Sequence, residues 1–590
     1  MTTRRTLPVA LLSLALTAGT ALALPPVVDR IAPGNAAVIV VPSLEKLEAG
    51  VAKIAALVTP PGEKSPSIRD MLSELPENVA AQLDQTGPLV VVMPEAPKKG
   101  KDGQEVEPKA VVLFKAKDYG QLVTALGGTA AGAGKTDEVS IDGEARFFKS
   151  VEGGLVATSD DKAMLDAMSF GAGNMGAHKA FAGPKATALS NDSELVIMLD
   201  PTKFHQAMDE GIKEMQQGMQ DMAAMGGQEP NTEAVLWMVE NLAKNATSTT
   251  MLLNLSDAGM GFEMVASFKP ESDAGKLASI KSNAAVLMSR LPAGPYLLAG
   301  AADFASADLR ALLGKMPAGK GMGAGVQNAT NKLMLEKTTG SAMVVGVNPG
   351  GIMSGLLTRA TTYVASTDPA GYLKAYGTDL AQAYQADKMG TMTVKNGAAD
   401  VGGVMVDEYT IKMTPQEGVP PQAMQFMFGM AGGPAGYMAP AEGGVVMTLG
   451  KSSELMGAAM KAAKGEGTTL NSDKPLTMVQ GNLPANRTAE MYLGTKGIID
   501  SILPMAAMFM GTPLQVDIPA DVPPIGAAIA PAGANQWQAT IFVPNQVIKT
   551  GGDIAKAFEQ AQKQMQGDEM PEDQPGDKPK DDKPGDKPKF

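Results

Sequence analysis

The residue types that carry most protein chemistry are scarce in this chain. There are two histidines, His178 and His205, and no cysteine. A zinc-type centre needs three or four imidazole, thiolate or carboxylate groups converging on one point, and two histidines supply no such cluster. The missing thiol also removes disulfides, thiolate nucleophiles and a lipid anchor on cysteine. A Ser/His/Asp triad needs only one histidine. No Gly-x-Ser-x-Gly elbow is present, however, and both histidines fall in segments with helical patterning. The stretch "GTAAGAGKT" (Gly128–Thr136) comes close to a phosphate-binding loop, which requires glycine, four residues, then Gly-Lys-Ser/Thr. Here Thr129 stands where that first glycine is needed, and Gly128 is one residue too early. The glycines at 319, 321, 323 and 325 form a flexible run with no fingerprint.

Methionine is the remaining candidate, with 40 residues. Met208, Ile212, Met215, Met219 and Met222 alternate spacings of four and three. Thioethers can hold Cu(I), but this spacing is also the apolar stripe of an amphipathic helix, and Ile212 ligates nothing. The stripe is therefore expected to pack. The expectation from these residues is a protein that is not an enzyme and holds no metal and no cofactor.

Binding candidates come from apolar residues in unexpected places. After the strand pattern "MVDEYTIKM" ends at Met413, the next one begins at Gly443. Between them the sequence concentrates Met424, Phe426, Met427, Phe428, Met430, Tyr437 and Met438. Large apolar side chains in a long loop must be buried or used. These residues are the candidate apolar binding surface, and replacing Ala423–Met438 with a short turn is expected to leave stability nearly unchanged. The neighbouring "GIIDSILPMAAMFMG" (Gly497–Gly511) is apolar on nearly every side yet too short to span a bilayer, and reads as a core helix or a cavity wall.

The elements that must position these residues follow a recurring order. "EGGLVATSDDKAMLDAM" (Glu152–Met168) and "EGGVVMTLGKSSELMGAAM" (Glu442–Met460) each give a tight glycine turn, a short apolar strand and a helix. Ser159 is expected to cap the first helix, and Ser452 or Ser453 the second, with Asp160, Asp161 and Glu454 in the first turns. Asn35–Leu57 pairs with Ala293–Met316 as a strand followed by a capped helix. Ala110–Gly128 pairs with Thr361–Tyr384, Ser193–Met208 with Thr488–Leu503, and the hairpin Thr249–Ser272 with Ile525–Ile548. Matches in one shared order point to an internal duplication. The fold expected is α+β, internally duplicated, with antiparallel sheets and helices packed on one face. The insertion Met93–Ala110 is charged and proline-rich and reads as a solvated loop.

The ends and the charge set the context. Arg4 and Arg5, an apolar run Leu7–Leu16 and the A-x-A-like Ala21–Ala23 make residues 1–23 a signal peptide. The two halves are then 24–283 and 284–566. Residues 567–590 repeat Pro, Gly, Asp and Lys without an apolar face and read as a disordered tail. The expected location is therefore export to the periplasm, the cell envelope or the exterior, with no transmembrane span after signal cleavage. A net charge of −13 argues against a nucleic-acid partner.

The strand and capped-helix units at Ala36–Leu57 and Gly154–Met168, with their second-half partners, resemble exported bacterial proteins of unknown function built from duplicated units of this kind. The resemblance covers Pro25 to about Met565. It implies export and duplication and transfers no functional residue. The function expected is non-catalytic binding of an envelope protein or an apolar ligand. A periplasmic lipid or hydrophobe carrier is the first alternative, and a hydrolase with no recognisable motif the second.

Overall fold

In the computed structural model the described residues are 24–59, 77–99, 105–106, 108–132, 134–141, 143–224, 232–318, 323–351, 354–414, 421–429, 432–510 and 516–567. The signal-peptide reading falls outside them, as does the tail reading from residue 568; Gly567 ends the helix Asn545–Gly567. Among the described residues nineteen strands join in one antiparallel sheet. Thr136–Ile141 and Gly390–Val401 form its two edges, so the sheet is open.

At its centre Gly259–Phe268 pairs with Gln536–Pro544. Outward from that pair, the first side runs Ala246–Leu255, Leu195–Leu199, Ala37–Val41, Leu89–Met93, Val111–Lys115, Leu155–Ser159, Glu144–Val151 and Thr136–Ile141. The other side runs Ile525–Gly533, Ala489–Leu493, Tyr296–Asp303, Gly340–Gly346, Ala360–Ala365, Gly444–Leu449, Ala435–Ala441, Val404–Met413 and Gly390–Val401. Both sides use the chain in the same sequence: its last three strands first, then its first three, then the remaining strands in reverse. The second side has one extra strand at its far end.

The local signals act as their chemistry requires. Ser43 and Ser306 accept hydrogen bonds from the Lys46 and Leu309 amides and cap their helices. Gly153, Gly154 and Gly443 take positive φ in the two Glu-Gly-Gly turns. Ser452 caps Ser453–Ala463 as expected. Ser159 does not cap the matching helix Lys162–Ala167. Asp161 does so by accepting from the Met164 amide, while the Ser159 hydroxyl donates to the Ala110 carbonyl.

Helices lie on both faces of the sheet rather than on one. Tyr363 packs with Val446, Met456 and Met460 on the inner face. Its neighbour Val364, turned to the outer face, packs with Val445, Leu333, Tyr372 and Leu380, which belong to the helices Ala324–Lys337 and Pro369–Ala386 or their sheet. The first side behaves likewise: Leu155 and Ala157 join Leu165 and Ala182, whereas Val156 joins Leu122 and Val123. A strand covered on both faces reads as a continuous apolar run, as "GVVMTL" does. The Met93–Ala110 segment includes a two-residue ribbon, Lys98–Lys99 with Glu105–Val106.

Candidate functional site

The stretch expected as a loop is a helix, Pro421–Phe428, followed by the strand Ala435–Ala441. The helix is held at its end by the amides of Leu356 and Leu357, which donate to the Phe426 and Met427 carbonyls at 2.8 and 2.9 Å. The strand sits between Val404–Met413 and Gly444–Leu449, and Gly436 allows a close approach: a Cβ there would meet the Thr448 carbonyl oxygen at 1.7 Å. Met438 is in the core, 1 % exposed. Tyr437 lies opposite Glu408 and is half-buried. Met424, Met427 and Phe428 are half-buried, Phe426 is exposed, and Met430 lies outside the described residues. These residues therefore do not form one surface. Phe428 lines a cleft of about 450 Å³ with Ser354, Thr358, Thr410, Leu449 and Lys451.

Replacing Ala423–Met438 with a Gly-Ser turn is now expected to destabilise the protein strongly. The change removes half of a paired strand and empties the site of Met438, whose deletion alone costs about 2–5 kcal/mol. A urea unfolding curve checks this, and an unchanged midpoint would show that the strand is dispensable.

The other sequence candidates resolve as structure. His178 is buried, its Nε2 2.8 Å from the Ile31 carbonyl oxygen. In Gly128–Thr136, the Ala131 amide that could meet a phosphate instead donates to Asp137 Oδ1 at 2.7 Å. Met208, Ile212 and Met215 are half-buried on the helix His205–Ala224, which packs beside Thr232–Asn245; the side chains of Met219 and Met222 lie outside the described residues. Gly497–Gly511 falls largely within the helix Thr495–Met510, with Ser501 buried and Ile502 45 % exposed. No described helix is long and apolar enough to cross a membrane.

The most unusual surface lies at the sheet centre, where the ordinary amphipathic pattern is inverted. Gln536, Gln538 and Thr540 point inward and are buried, as are Ser248 and Thr250 on the strand Ala246–Leu255. Part of this layer is tied to the helix Met175–Leu189: the Gln536 amide donates to the Ala182 carbonyl at 2.8 Å and its oxygen accepts from the Lys185 amide at 3.0 Å. Glu263 shares the layer and accepts from Gln538 at 3.0 Å; burial pushes its carboxyl above the usual range. On the opposite, outer face Met251, Phe262, Met264, Ile529, Ile541 and Met491 are each 41–50 % exposed.

The strand register aligns these outer residues. One row runs Ile39, Ile197, Met251, Met264, Ala539, Ile529, and a second runs Leu253, Phe262, Ile541, Ala527, Met491, Gly300, Met343. At strand spacings near 4.8 Å, the second row is roughly 30 Å long. The ends of the central strands rise into walls. Gly50 of the helix Leu44–Val58 sits over Leu255, so close that a Cβ would come 2.8 Å from its Cδ1, and Gly552 of Asn545–Gly567 packs on Val58. At the other end Trp537 donates from Nε1 to the Ala274 carbonyl at 2.9 Å, closing the helix Asp273–Leu277 over Ala266 and Phe268. The result is an apolar trough whose floor carries no charge.

No single segment announces this trough. Its signal is the alternation in "QWQATIFVP" and "GMGFEMVASF", which shows two faces but not which one a helix covers. Protein-family models, curated proteins and solved structures offer no match to the chain. The fold is that of an α+β protein built on one open antiparallel sheet.

Proposed function

We propose that this is an exported, non-catalytic binding protein that holds the acyl chain of a lipid in the apolar trough. The observation that carries the reading is the inverted sheet centre, with glutamines and threonines buried beneath a helix and methionine, isoleucine and phenylalanine left at the surface. Apolar area costs about 25 cal/mol per Å² in water, and contiguous exposed apolar surface marks a place where something apolar sits. The walls at both strand ends suit a narrow chain-like ligand better than a flat partner. The floor rows lack the Trp, Tyr and Arg that anchor protein interfaces, and their backbone is already paired in the sheet. Methionine adapts its shape to a flexible chain. A length of roughly 30 Å exceeds one acyl chain, which spans about half of a 30 Å bilayer core.

Internal duplication belongs to the same proposal, supported by the shared strand order and by the five sequence pairs occupying equivalent ranks on either side of the central pair. The trough floor then lies where the two halves meet, so neither half forms it alone. The resemblance to duplicated exported proteins is consistent with this origin.

The test is native mass spectrometry of the protein purified from its own envelope, followed by titration with palmitate. Co-purifying lipid mass and saturable palmitate binding are expected. A protein that is free of lipid and does not bind palmitate would overturn the reading. Retention of a polypeptide in place of lipid would replace it with a protein-docking function.

A further inference from the structure

A second site lies on the same outer face, beyond Met343, under the helices Ala324–Lys337 and Pro369–Ala386. Here a cleft of about 340 Å³, open to solvent on one side, lies between helices and sheet. That volume is at the lower end of the range for small-molecule sites, about 300–1,000 Å³. Leu333, Met334, Leu380, Met392 and Ile411 form its apolar walls.

Three of the chain's nine tyrosines, Tyr372, Tyr376 and Tyr384, line the same cavity. The Tyr372 and Tyr376 rings stack with centroids 6.1 Å apart, and Tyr409 meets Tyr376 edge-on at 5.9 Å. Tyr376 is surrounded by protein yet keeps accessible surface, because it borders the void.

The hydroxyls set this cavity apart from a packing defect. Tyr409 donates to the Thr448 carbonyl at 2.9 Å. Among the described residues the hydroxyls of Tyr372, Tyr376 and Tyr384 make no hydrogen bond. None of the three oxygens is closed off from water, so in the cleft they are free to turn toward the acceptors of a ligand that enters it. Burial raises all three phenols above their ordinary value, Tyr372 to about 12, so they remain protonated donors near neutral pH. Among the described residues no charged side chain lines the cleft, and its polar margin consists of Thr330, Thr338 and Ser341.

We propose that this cavity binds a neutral, planar, ring-containing hydrophobe bearing carbonyl oxygens, of which a quinone is the type. The stacked tyrosines and aliphatic walls take the ring system, and the unpartnered phenols donate to its oxygens. An acyl chain would fill the volume but leave those donors unmatched, which costs more than an apolar replacement would. The proposal stands on the cavity alone and does not depend on the trough.

The experiment titrates the full-length protein with menadione, using 2-methylnaphthalene as the ring without carbonyls and palmitate as the chain without a ring. Menadione is expected to bind at least several-fold more tightly than 2-methylnaphthalene. Tyr376→Phe, which keeps the ring and removes the hydroxyl, is expected to weaken menadione about five-fold and leave 2-methylnaphthalene unchanged. Thr330→Trp, at the exposed margin, is expected to block menadione while thermal unfolding and palmitate binding stay as in the parent. No menadione binding, or binding that neither substitution alters, overturns the proposal. Loss of palmitate binding with menadione retained would instead strike the trough.

Discussion

Replacing Arg487 with methionine is expected to cost about 3–5 kcal/mol of stability at neutral pH, the penalty for leaving a buried charge without its partner. Arg487 is 6 % exposed and its Nε lies 2.9 Å from Glu490 Oε2. The same carboxylate oxygen accepts from the Tyr492 hydroxyl at 2.6 Å, and Arg487 Nη1 donates to the Gln480 carbonyl at 3.0 Å. Among the described residues neither Glu490 Oε1 nor Arg487 Nε makes a hydrogen bond, so the ion pair with the guanidinium and the one phenol support the whole charge. Burial already pushes the Glu490 carboxyl above its ordinary value of 4.5, opposed by Tyr492 and Arg487.

The pH dependence follows from that direction. A carboxyl with a raised folded pKa binds more protons when folded than when unfolded. Stability therefore falls as pH rises from the unfolded pKa through the folded one. Removing Arg487 raises the folded value further, so the loss should be greatest at pH 7 and smaller near pH 4.5. Urea unfolding of parent and variant at both pH values checks this. An equal loss at the two would assign the effect to packing instead. The network matters for the trough because Glu490 and Tyr492 point inward from the strand whose outward residues are Met491 and Leu493.

Introducing Glu at Met264 and Ile541 together is expected to reduce palmitate binding at least a hundred-fold while leaving unfolding nearly unchanged. Both side chains stand in the trough floor on paired strands, 42 % and 48 % exposed. In the free protein the new carboxylates remain in water, and such surface changes stay within about 0.5 kcal/mol. In the complex they would lie against hydrocarbon, where an unpaired charge is strongly unfavourable. Equal binding of palmitate by parent and double variant would remove the trough from the mechanism. A large drop in the unfolding midpoint would mean that these side chains are part of the core.

The sequence made the repeated local grammar legible because short-range chemistry sets it. Glycines in the two Glu-Gly-Gly turns take left-handed φ, and Ser43, Ser306 and Ser452 cap the helices they precede. Ser159 misled because its position near Asp161 offers two adjacent capping oxygens, and only the three-dimensional course of the strand end decides which one reaches the helix amides. Met424–Met438 misled for a related reason. Apolar residues separated by glycines and prolines read as a loop, whereas pairing with Val404–Met413 and Gly444–Leu449 makes a strand of the last part and carries Met438 into the core.

The alternation in the central strands likewise stated that each has a polar and an apolar face. By burial arguments alone the apolar face belongs inside. Tertiary structure reversed this, because the helix Met175–Leu189 satisfies Gln536 from the inner side while the walls formed by Leu44–Val58 and Asp273–Leu277 stop short of the outer floor. Composition and short-range pattern thus determined the turns, the caps, most of the strands and the poverty of catalytic groups. Which face of the sheet meets water depended on contacts between segments hundreds of residues apart, such as Gln536 with Ala182, and the tyrosine-lined cleft on the packing of Pro369–Ala386 beside Ala324–Lys337 and the sheet. Local sequence carries no record of such contacts, because their energy exists only after the chain has closed the loop between them.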